Sequence, residues 1–304
     1  MSFNEKYENI RKLAEPELSV IEKKVVSSVV VREPLNSHLV KFLTGPSKRI
    51  RPVLAVLYMK ACEEYCGAAD KKRTGVLSDN QLELLAAVEL VHNASLIHDD
   101  IIDESKLRRG EKTISEDFGN KLGVISGDYI LSAAMGKLAQ IGSIDIFNKF
   151  AKTLKQMCIG EINQNFDRFK IGTIEDYIEK SKNKTGYLFE ASLYCTAILS
   201  EFSYDLRKVS DFALNVGIAF QIRDDLVNLI RIDSTKPSNN DIRDGIYNAP
   251  VIYAQSTQDY SEGIEKTRDL LNNYIQNAML LIEGLPDNIY RNALRELLEL
   301  LNNG

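Results

Sequence analysis

The sequence predicts an all-α protein, and three observations support this fold class. Apolar residues recur at three- and four-residue spacing through long stretches, of which residues 82–90 and 270–281 are typical. Only 7 prolines and 17 glycines interrupt the 304 residues, so helices can continue over several turns. Alternating apolar and polar residues, the pattern of strands, are scarce. We expect about ten or more helices, given typical helix lengths, in a single domain covering residues 1–304.

Short polar or proline- and glycine-containing breaks separate the expected helices. In chain order they lie at residues 33–34, 45–47, 108–112, 142–143, 172–173, 234–247 and 284–286. The β-branched segment 25–31 is expected to continue the helical pattern that begins at Leu18. The break at 234–247 is the longest polar one, and it follows an acidic cluster directly. Lids over ligand sites tend to occupy such connections.

Composition excludes several classes of protein. Hydrophobic residues make up 44% and charged residues 27% of the chain, an ordinary balance for a globular protein with a large core. The net charge of -5 offers no basic surface for nucleic acid. No apolar run reaches the roughly 20 residues of a transmembrane helix.

The cysteines and the N-terminal segment indicate a cytoplasmic location. The four cysteines, at positions 62, 66, 158 and 195, show no paired metal-ligand spacing. So few cysteines fit a reducing compartment. Residues 1–15 are polar and charged and lack the apolar segment of a signal peptide.

The first of two acidic clusters consists of Asp99, Asp100 and Asp103, at the end of the apolar run 94–102. Carboxylates within an apolar helix are costly unless cations pair with them. Asp99 and Asp103 are one helical turn apart and share a face, so their carboxylates can converge on the same hard cations. Mg²⁺ prefers such oxygen ligands and typically bridges carboxylates to the phosphates of a substrate. Asp100 points around the helix and is a weaker candidate ligand.

The second cluster offers Asp224 and Asp225 inside another apolar run, with Asn228 at the position of a third acid. Asn228 supplies a neutral oxygen, which attracts a cation less strongly. An isolated cluster of this kind is more typical of a solvated acidic turn, but two clusters in apolar helices favour metal binding. Arg108 and Arg109 follow the first cluster, and guanidinium groups bind phosphate in a bidentate way. These features together indicate a site for a diphosphate that carries an apolar tail.

With these motifs the chain resembles the trans-isoprenyl diphosphate synthases, also called polyprenyl synthetases. The resemblance covers residues 40–254, and its motifs follow one another in the family's order. They are Lys48-Arg49-Ile50-Arg51-Pro52, the segment from Glu89 to Asp100, Arg108-Arg109-Gly110, Gly127-Asp128-Tyr129, Gly160-Glu161 with Gln164, Lys184-Thr185, the segment from Phe220 to Asp225, and Lys236-Pro237 with Asp241 and Pro250. Each motif alone is weak, whereas so many in order are a strong signal.

The resemblance implies an isoprenoid-synthase-type helical bundle around a central cavity. Its activity would be chain-elongating trans-prenyl transfer, through a Mg²⁺-assisted carbocation. The implied metal ligands are Asp99, Asp103 and Asp224, with Asp100, Asp225 and Asn228 in second rank. The family pattern suggests three Mg²⁺ ions with bound diphosphate, and Mn²⁺ is an alternative.

The implied substrates are isopentenyl diphosphate and an allylic diphosphate. The side chains implied for the allylic diphosphate are Arg108, Lys184 and Lys236. Those implied for isopentenyl diphosphate are Lys48, Arg51, His92 and Arg109. Lys184, Thr185 and Gln221 are the implied catalytic residues, the last two beside the reacting carbons. Taken alone, His92 is more typical of a packed or surface histidine.

Three departures from the family pattern bear on activity. Pro46-Ser47 replaces the glycine pair before Lys48, which stiffens that loop. Asn228 replaces the third acid of the second cluster. Ile246, after Gly245, replaces a lysine and so removes one expected phosphate contact.

Two other functions remain open at this point. A weakly active or regulatory subunit of a heteromeric synthase would fit the changes at Asn228 and Ile246, but the retained acids and cations oppose it. A class I terpene cyclase also ionises an allylic diphosphate, but it has no use for the isopentenyl site of Lys48, Arg51 and Arg109.

The product is expected to be longer than farnesyl diphosphate. Ser95 lies one turn before Asp99 on the same face, with Ala94 beside it, and both side chains are small. Val91 and Val88 continue this apolar line at helical spacing. The helix N-terminal to Asp99 can line about 22 Å, enough for about five extended isoprene units. Hexaprenyl to octaprenyl products are therefore favoured over geranylgeranyl, unless the small residues merely accommodate another helix.

The resemblance also implies a homodimer, and a heteromer is an alternative. The largely apolar segment 122–135 is a candidate contact surface, although core packing would explain it equally well. A long-chain product would partition into membranes.

Overall fold

The computed structural model describes residues 3–63, 77–230 and 240–302. In these ranges the chain forms fifteen α-helices and one two-stranded hairpin, which confirms the all-α prediction. The helices are α1 (Phe3–Lys12), α2 (Glu15–Val26), α3 (Leu35–Thr44), α4 (Ile50–Glu63), α5 (Asp79–Ile102), α6 (Ile114–Phe118), α7 (Asn120–Ile141), α8 (Ile144–Phe166), α9 (Ile174–Ser181), α10 (Tyr187–Ile198), α11 (Leu206–Ile230), α12 (Asn240–Arg243), α13 (Ala249–Ala254), α14 (Ser261–Ile282) and α15 (Ile289–Asn302). None of them is long and apolar enough to cross a membrane.

Side-chain caps explain where several of these helices begin. Ser78 and Gln81 form a capping box at the start of α5, and Thr173 and Asp176 form one at the start of α9. The Ser143 hydroxyl accepts a hydrogen bond from the backbone N–H of residue 146 and so caps α8. The breaks expected near residues 142 and 172 are therefore confirmed.

One sequence-based boundary is wrong. Helix α2 ends at Val26 and does not continue through residue 31. The Ser28 hydroxyl donates a 2.6 Å hydrogen bond to the Lys24 carbonyl oxygen. Such local side-chain bonds compete with the helical pattern, and they outweigh the apolar periodicity here.

The two acid-bearing helices, α5 and α11, are the centre of the bundle. Helix α5 packs against α7 over much of its length and against α2, α4 and α10. Helix α11 packs against α10, α14 and α15. Because α10 contacts both, it holds the two acidic ends in a fixed relation. Its own side chains are almost all buried, as expected for a helix surrounded by others.

A small hairpin follows α5. Strands β1 (Leu107–Arg108) and β2 (Glu111–Lys112) pair antiparallel, with residues 109 and 110 in the turn. Both turn residues have positive φ, 53° for Arg109 and 81° for Gly110, as a tight hairpin turn of the primed type requires. The turn returns Arg108 toward the end of α5.

A π-helical turn, Lys182–Gly186, joins α9 to α10. Its wider ring is closed by the N–H of Tyr187 and the carbonyl oxygen of Lys182. Two glycines allow neighbouring helices to approach it. A Cβ at Gly160 of α8 would lie 3.0 Å from the Asn183 Cβ, and one at Gly217 of α11 would lie 2.8 Å from the Gly186 Cα. The π-helical turn is thus packed tightly between α8 and α11.

Candidate active site

The C-terminal ends of α5 and α11 line one polar cleft of about 450 Å³. The lining brings together most of the predicted metal and allylic-diphosphate residues. Its polar and charged members are Asp99, Asp103, Ser105, Arg108, Gln164, Lys180, Ser181, Lys184, Gln221, Asp224, Asp225, Asn228, Asp241, Asp244 and Asn248. Residues from five separate segments of the chain therefore converge on a single site.

Asp99 and Asp103 face this cleft together, as their spacing predicts. The backbone N–H of Asp103 donates a 2.8 Å hydrogen bond to the Asp99 carbonyl oxygen, so the helical turn continues to the cap. Burial raises the pKa of Asp99 to about 6, although Lys184 opposes the shift. Burial also raises the pKa of Asp103. Both carboxylates therefore lack enough positive charge around them, which a bound cation would supply.

Asp100 makes a different contact from its two neighbours. Its side chain is buried, and both carboxylate oxygens accept hydrogen bonds from the Arg108 Nε, at 2.8 and 2.9 Å. Arg108 itself lines the cleft. Asp100 was predicted to be a weaker metal ligand than Asp99 and Asp103. The structure offers a physical reason, because this carboxylate holds Arg108 at the cleft.

The acidic residues of α11 also differ from one another in exposure and contacts. Asp224 and Asn228 are exposed toward the cleft, whereas Asp225 is buried. The Tyr177 hydroxyl donates a 2.7 Å hydrogen bond to Asp225, and the Gln221 amide donates another at 2.9 Å. Burial raises the pKa of Asp225 to about 6, and Tyr177, Lys180 and Gln221 oppose the shift.

Thr185 and Gln221 are in direct contact, as two groups beside one reaction centre would be. The Thr185 hydroxyl donates a 2.6 Å hydrogen bond to the Gln221 side-chain oxygen. Gln221 in turn donates to Asp225, so that a single chain of hydrogen bonds orients its amide. Thr185 lies in the π-helical turn and Gln221 on α11, and their contact joins the two elements.

Lys184 lies between both acidic helices and α8. Its Nζ is 3.0 Å from a carboxylate oxygen of Glu161. Burial alone would lower its pKa, but Glu161 and Asp99 outweigh burial and raise it. Lys184 is therefore a permanent cation. Gly160 makes the contact feasible, because its missing side chain lets α8 approach the π-helical turn.

The donors present suit Mg²⁺ when phosphate oxygens complete its coordination. Within the described ranges, no three side chains among His, Cys, Asp and Glu stand close enough to hold a metal ion unaided. Mg²⁺ generally keeps waters and binds through one or two carboxylates plus substrate phosphates. Asp99, Asp103 and Asp224 supply such oxygen donors around one cleft.

Two of the cations predicted for isopentenyl diphosphate, Arg51 and Arg109, lie near His92. Burial and the nearby Arg51 and Arg109 hold the pKa of His92 well below its usual range, so it is neutral at physiological pH. The Arg51 guanidinium lies 4.8 Å from the centre of the Phe189 ring. Burial lowers the pKa of Arg51 to about 10, which still leaves it charged. Lys48 is exposed, with its Nζ 4.4 Å from the centre of the Phe3 ring.

Arg49, in the same motif, has a structural contact that the sequence did not reveal. It is buried, and its Nη1 lies 2.7 Å from a carboxylate oxygen of Glu89 on α5. A second guanidinium nitrogen donates to the carbonyl oxygen of Leu43. This buried ion pair fixes the end of the loop that carries Lys48, just before Arg51 in the first turn of α4. A loss of either partner would leave a buried charge uncompensated.

Lys236, one of the predicted phosphate ligands, lies outside the described residues. The structure adds other groups that sequence analysis missed, chiefly Lys180, Asn248 and Asp244. Lys180 donates a 3.3 Å hydrogen bond to the Asn248 side-chain oxygen. Its position four residues before Lys184 was the available signal, because residues one turn apart share a face.

An apolar cavity of about 290 Å³ adjoins the polar cleft and runs along α5. Asp99 and Lys184 line both spaces. Of the residues predicted to control chain length, Val91, Ala94 and Ser95 line the cavity, and Val88 is buried one turn beyond them. The other walls come from α7 and α8, through Leu131, Leu154, Met157 and Cys158. An elongated apolar group attached to an anion in the cleft would therefore have a place to lie.

This combination of helical bundle, acidic cleft and apolar cavity agrees with the comparisons of sequence. The pattern of the family described as "Polyprenyl synthetase" matches residues 32–280, and the chain belongs to that family. The chain is thus a prenyltransferase, and Mg²⁺ dependence is general among such enzymes.

Two relatives and one solved structure are similar over most of their lengths. A prenyl transferase of Cyanophora paradoxa is 31% identical, with 94% of this chain and 95% of that protein covered. Heptaprenyl diphosphate synthase component 2 of Geobacillus stearothermophilus is 29% identical, with 87% and 88% covered. The heptaprenyl diphosphate synthase structure from Staphylococcus aureus has a TM-score of 0.85 at 23% identity, with 95% and 98% covered. That structural likeness confirms the isoprenoid-synthase fold.

Proposed function

We propose that the chain condenses isopentenyl diphosphate with an allylic diphosphate and releases a medium- or long-chain all-trans polyprenyl diphosphate. The proposal rests on one observation, that the acidic cleft and the apolar cavity adjoin each other. Asp99 and Lys184 line both the acidic cleft and the apolar cavity, so a diphosphate and its hydrocarbon tail fit side by side. The cations around His92 supply a second anion site, for the isopentenyl substrate.

The residues act on a reaction whose first step breaks the allylic C–O bond. Mg²⁺ held by Asp99, Asp103 and Asp224 would neutralise the departing diphosphate. Arg108 and Lys184 add positive charge to the same anion. Thr185 and Gln221 present oriented dipoles that stabilise the allylic cation without attacking it.

The second step forms the new carbon–carbon bond. Lys48, Arg51, His92 and Arg109 hold isopentenyl diphosphate so that its double bond attacks the cation. The resulting tertiary cation loses a proton to the released diphosphate, which leaves a product one isoprene unit longer. No side chain has to act as a nucleophile in this scheme.

The apolar cavity supports a product beyond farnesyl diphosphate. We propose the hexaprenyl to octaprenyl range rather than geranylgeranyl. Small side chains at Ala94 and Ser95 leave room beside α5. Ala94→Phe and Ser95→Phe should each shorten the product while the allylic substrate still ionises. Leu280→Phe, on an exposed position of α14, is a matched control that should not change product length. An unchanged product distribution in both α5 variants would place the tail elsewhere.

The direct test is an incubation of the pure chain with Mg²⁺, farnesyl diphosphate and isopentenyl diphosphate, followed by mass spectrometry. A series of longer diphosphates is the expected outcome. A hydrocarbon formed from farnesyl diphosphate alone would instead identify a class I terpene cyclase. No product, followed by activity on addition of a second synthase subunit, would identify a regulatory or partner-dependent chain.

We also propose a single domain spanning residues 1–304, a cytoplasmic location and a homodimer. Helix α1 packs on α15, which ties the two ends of the described chain into one bundle. The start of α7 exposes Leu122, Val124 and Ile125, and such clustered apolar side chains are typical of a contact surface. Sedimentation of the purified chain tests the dimer, and Ile125→Asp should weaken it. A heteromer is the alternative if the chain sediments alone as a monomer.

A further inference from the structure

Lys180 reaches the polar cleft from the last turn of α9. It lies one turn before Lys184 and lines the cleft together with it. Lys180 also lines a neighbouring cavity of about 430 Å³, beneath the segment 245–247. The lysine therefore stands in the wall between the cleft and this loop.

Ile246 lies on the other side of the same wall. Like Lys180, it lines both the cleft and the neighbouring cavity. At this position the resemblance described above leads one to expect a lysine for a phosphate contact. The isoleucine side chain cannot supply that charge, whereas Lys180, which lines the same two spaces, carries an ammonium group.

The surroundings of Lys180 leave its charge available to a ligand. Lys184 has a carboxylate of Glu161 at 3.0 Å. Lys180 donates to the neutral oxygen of Asn248 at 3.3 Å, and its Nζ lies 5.4 Å from the centre of the Tyr177 ring. Within the described ranges, no carboxylate lies within 4.0 Å of this Nζ. A half-buried ammonium group without a close anion is costly unless an anion binds beside it.

The balance of charge in the cleft also supports a role for Lys180 in binding an anion. The described lining contains six carboxylates, namely Asp99, Asp103, Asp224, Asp225, Asp241 and Asp244. Against them stand the cations Arg108, Lys180 and Lys184. Because so few cations face the anionic ligand, each one makes a large difference to its binding.

We propose that Lys180 binds the diphosphate of the allylic substrate and replaces the cation that this chain lacks at position 246. The role rests on the proposed prenyl transfer, but the contact is made with diphosphate itself. Lys180 is thus a substrate-binding residue of this chain that the family motifs do not include.

The test measures diphosphate binding directly, without turnover. Inorganic diphosphate with excess Mg²⁺ is titrated calorimetrically into wild type, K180M, K180Q and K180R. The two uncharged variants should bind about tenfold to a hundredfold more weakly, and K180R should retain most of the affinity. K182M is the matched control, because Lys182 lies over the Tyr187 ring in the same segment and does not line the cleft.

A variant that moves the positive charge from position 180 to position 246 distinguishes a role in ligand binding from a structural role. I246K in the K180M background should restore most of the lost affinity, whereas I246K in wild type should add less. Such non-additivity is expected only when both positions serve one ligand. In turnover assays K180M should raise KM for the allylic substrate and leave KM for isopentenyl diphosphate within about twofold of wild type.

The outcomes separate this proposal from prenyl transfer itself. If neither K180M nor K180Q weakens diphosphate binding, the role of Lys180 is wrong, even when wild type elongates chains. If both variants weaken diphosphate binding but wild type does not elongate the allylic substrate, the proposed prenyl transfer is wrong and the proposed role of Lys180 is retained. Should one uncharged variant fail to fold, as circular dichroism would show, the other and the I246K pair decide the question.

Discussion

The two acidic clusters use their paired aspartates in the same way but hold them with different partners. On α5, Asp99 faces the cleft and Asp100 turns inward to the Arg108 guanidinium. On α11, Asp224 is exposed to the cleft, whereas Asp225 lines it as a buried side chain that accepts hydrogen bonds from the neutral donors of Tyr177 and Gln221. Adjacent aspartates on a helix point in different directions, so one can bind ligand while the other anchors the wall.

The difference in partners gives the two anchors different consequences. Asp100 holds a cation and so positions Arg108 at the cleft, although burial still raises the pKa of Asp100. Asp225 is held by neutral donors, and burial raises its pKa to about 6. The α5 wall therefore combines acids with an arginine, whereas the α11 wall is acidic alone. The α11 wall depends more strongly on cations brought by the substrate complex.

The largest effect is expected from the residues that face the cleft. Asp99→Ala and Asp224→Ala should each reduce turnover by about a thousandfold or more, because each removes charge that holds the metal ions. Asp211→Ala, an exposed acid near the start of α11, is the control and should stay near wild type. Steady-state assays over a Mg²⁺ series measure this. Wild-type turnover in excess chelator would contradict it.

A smaller effect is expected when an inward-facing acid is changed. Asp100→Asn loses the charged partner of Arg108, and we expect turnover to fall by about tenfold to a hundredfold without a change in the Mg²⁺ requirement. The Mg²⁺ concentration for half-maximal activity is the deciding measurement. If it rises as much as in Asp99→Ala, Asp100 is a metal ligand and the division of roles within the α5 cluster fails.

The raised pKa of Asp99 predicts a pH effect of about tenfold per pH unit. Below pH 6 a proton must leave Asp99 before a metal ion can bind, so the affinity for Mg²⁺-diphosphate should fall as the pH drops from 7 to 5. The Asp99→Asn variant should bind more weakly at pH 7 and lose this part of the slope. Calorimetric titrations at several pH values provide the measurement, and parallel slopes in the two proteins would refute the assignment.

The same shift has the opposite sign for folding of the ligand-free chain. The folded protein retains a proton on Asp99 between its ordinary pKa and about 6, so the free energy of unfolding decreases as pH rises through that window. Asp99→Asn should therefore stabilise the ligand-free chain by ~1–3 kcal/mol at pH 7, and the gain should vanish near pH 4.

The smallest effect is expected at Asn228, the outermost residue of the second cluster. Asn228→Asp should leave turnover within about tenfold of wild type, equivalent to about 1.4 kcal/mol of barrier, because the position is exposed and the wall is already acidic. Steady-state assays of the variant test this. A large gain from an inactive wild type would instead favour the regulatory-subunit hypothesis.

The sequence predicted the helical architecture and the division of the first acidic cluster because both follow from helical periodicity. One-turn spacing is enough to place Asp99 and Asp103 on one face, and the inward direction of Asp100 follows from the same geometry. Periodicity did not predict the end of α2 at Val26, which depends on serine side chains bonding to the backbone.

Contacts between distant segments were beyond the sequence. The bond from Tyr177 to Asp225 joins residues 48 positions apart, and the contact of Lys180 with Asn248 joins residues 68 apart. No local pattern contains such pairs, because they arise only when α9, α11 and the loop after α12 are packed together. The family motifs supplied Lys184 and Thr185, but they gave no reason to include Lys180.

The π-helical turn between α9 and α10 constrains the number of residues in this segment more strongly than their identity. Its extra residue shifts the angular phase of everything after it by about 100° relative to an uninterrupted α-helix. Only with that offset can α10 bury its apolar side chains while α9 directs Lys180 to the cleft. Removal of a single residue from Lys182–Gly186 would restore a regular helix and rotate α10 out of register with its neighbours. We therefore expect an insertion or deletion in this turn to be more damaging than most substitutions.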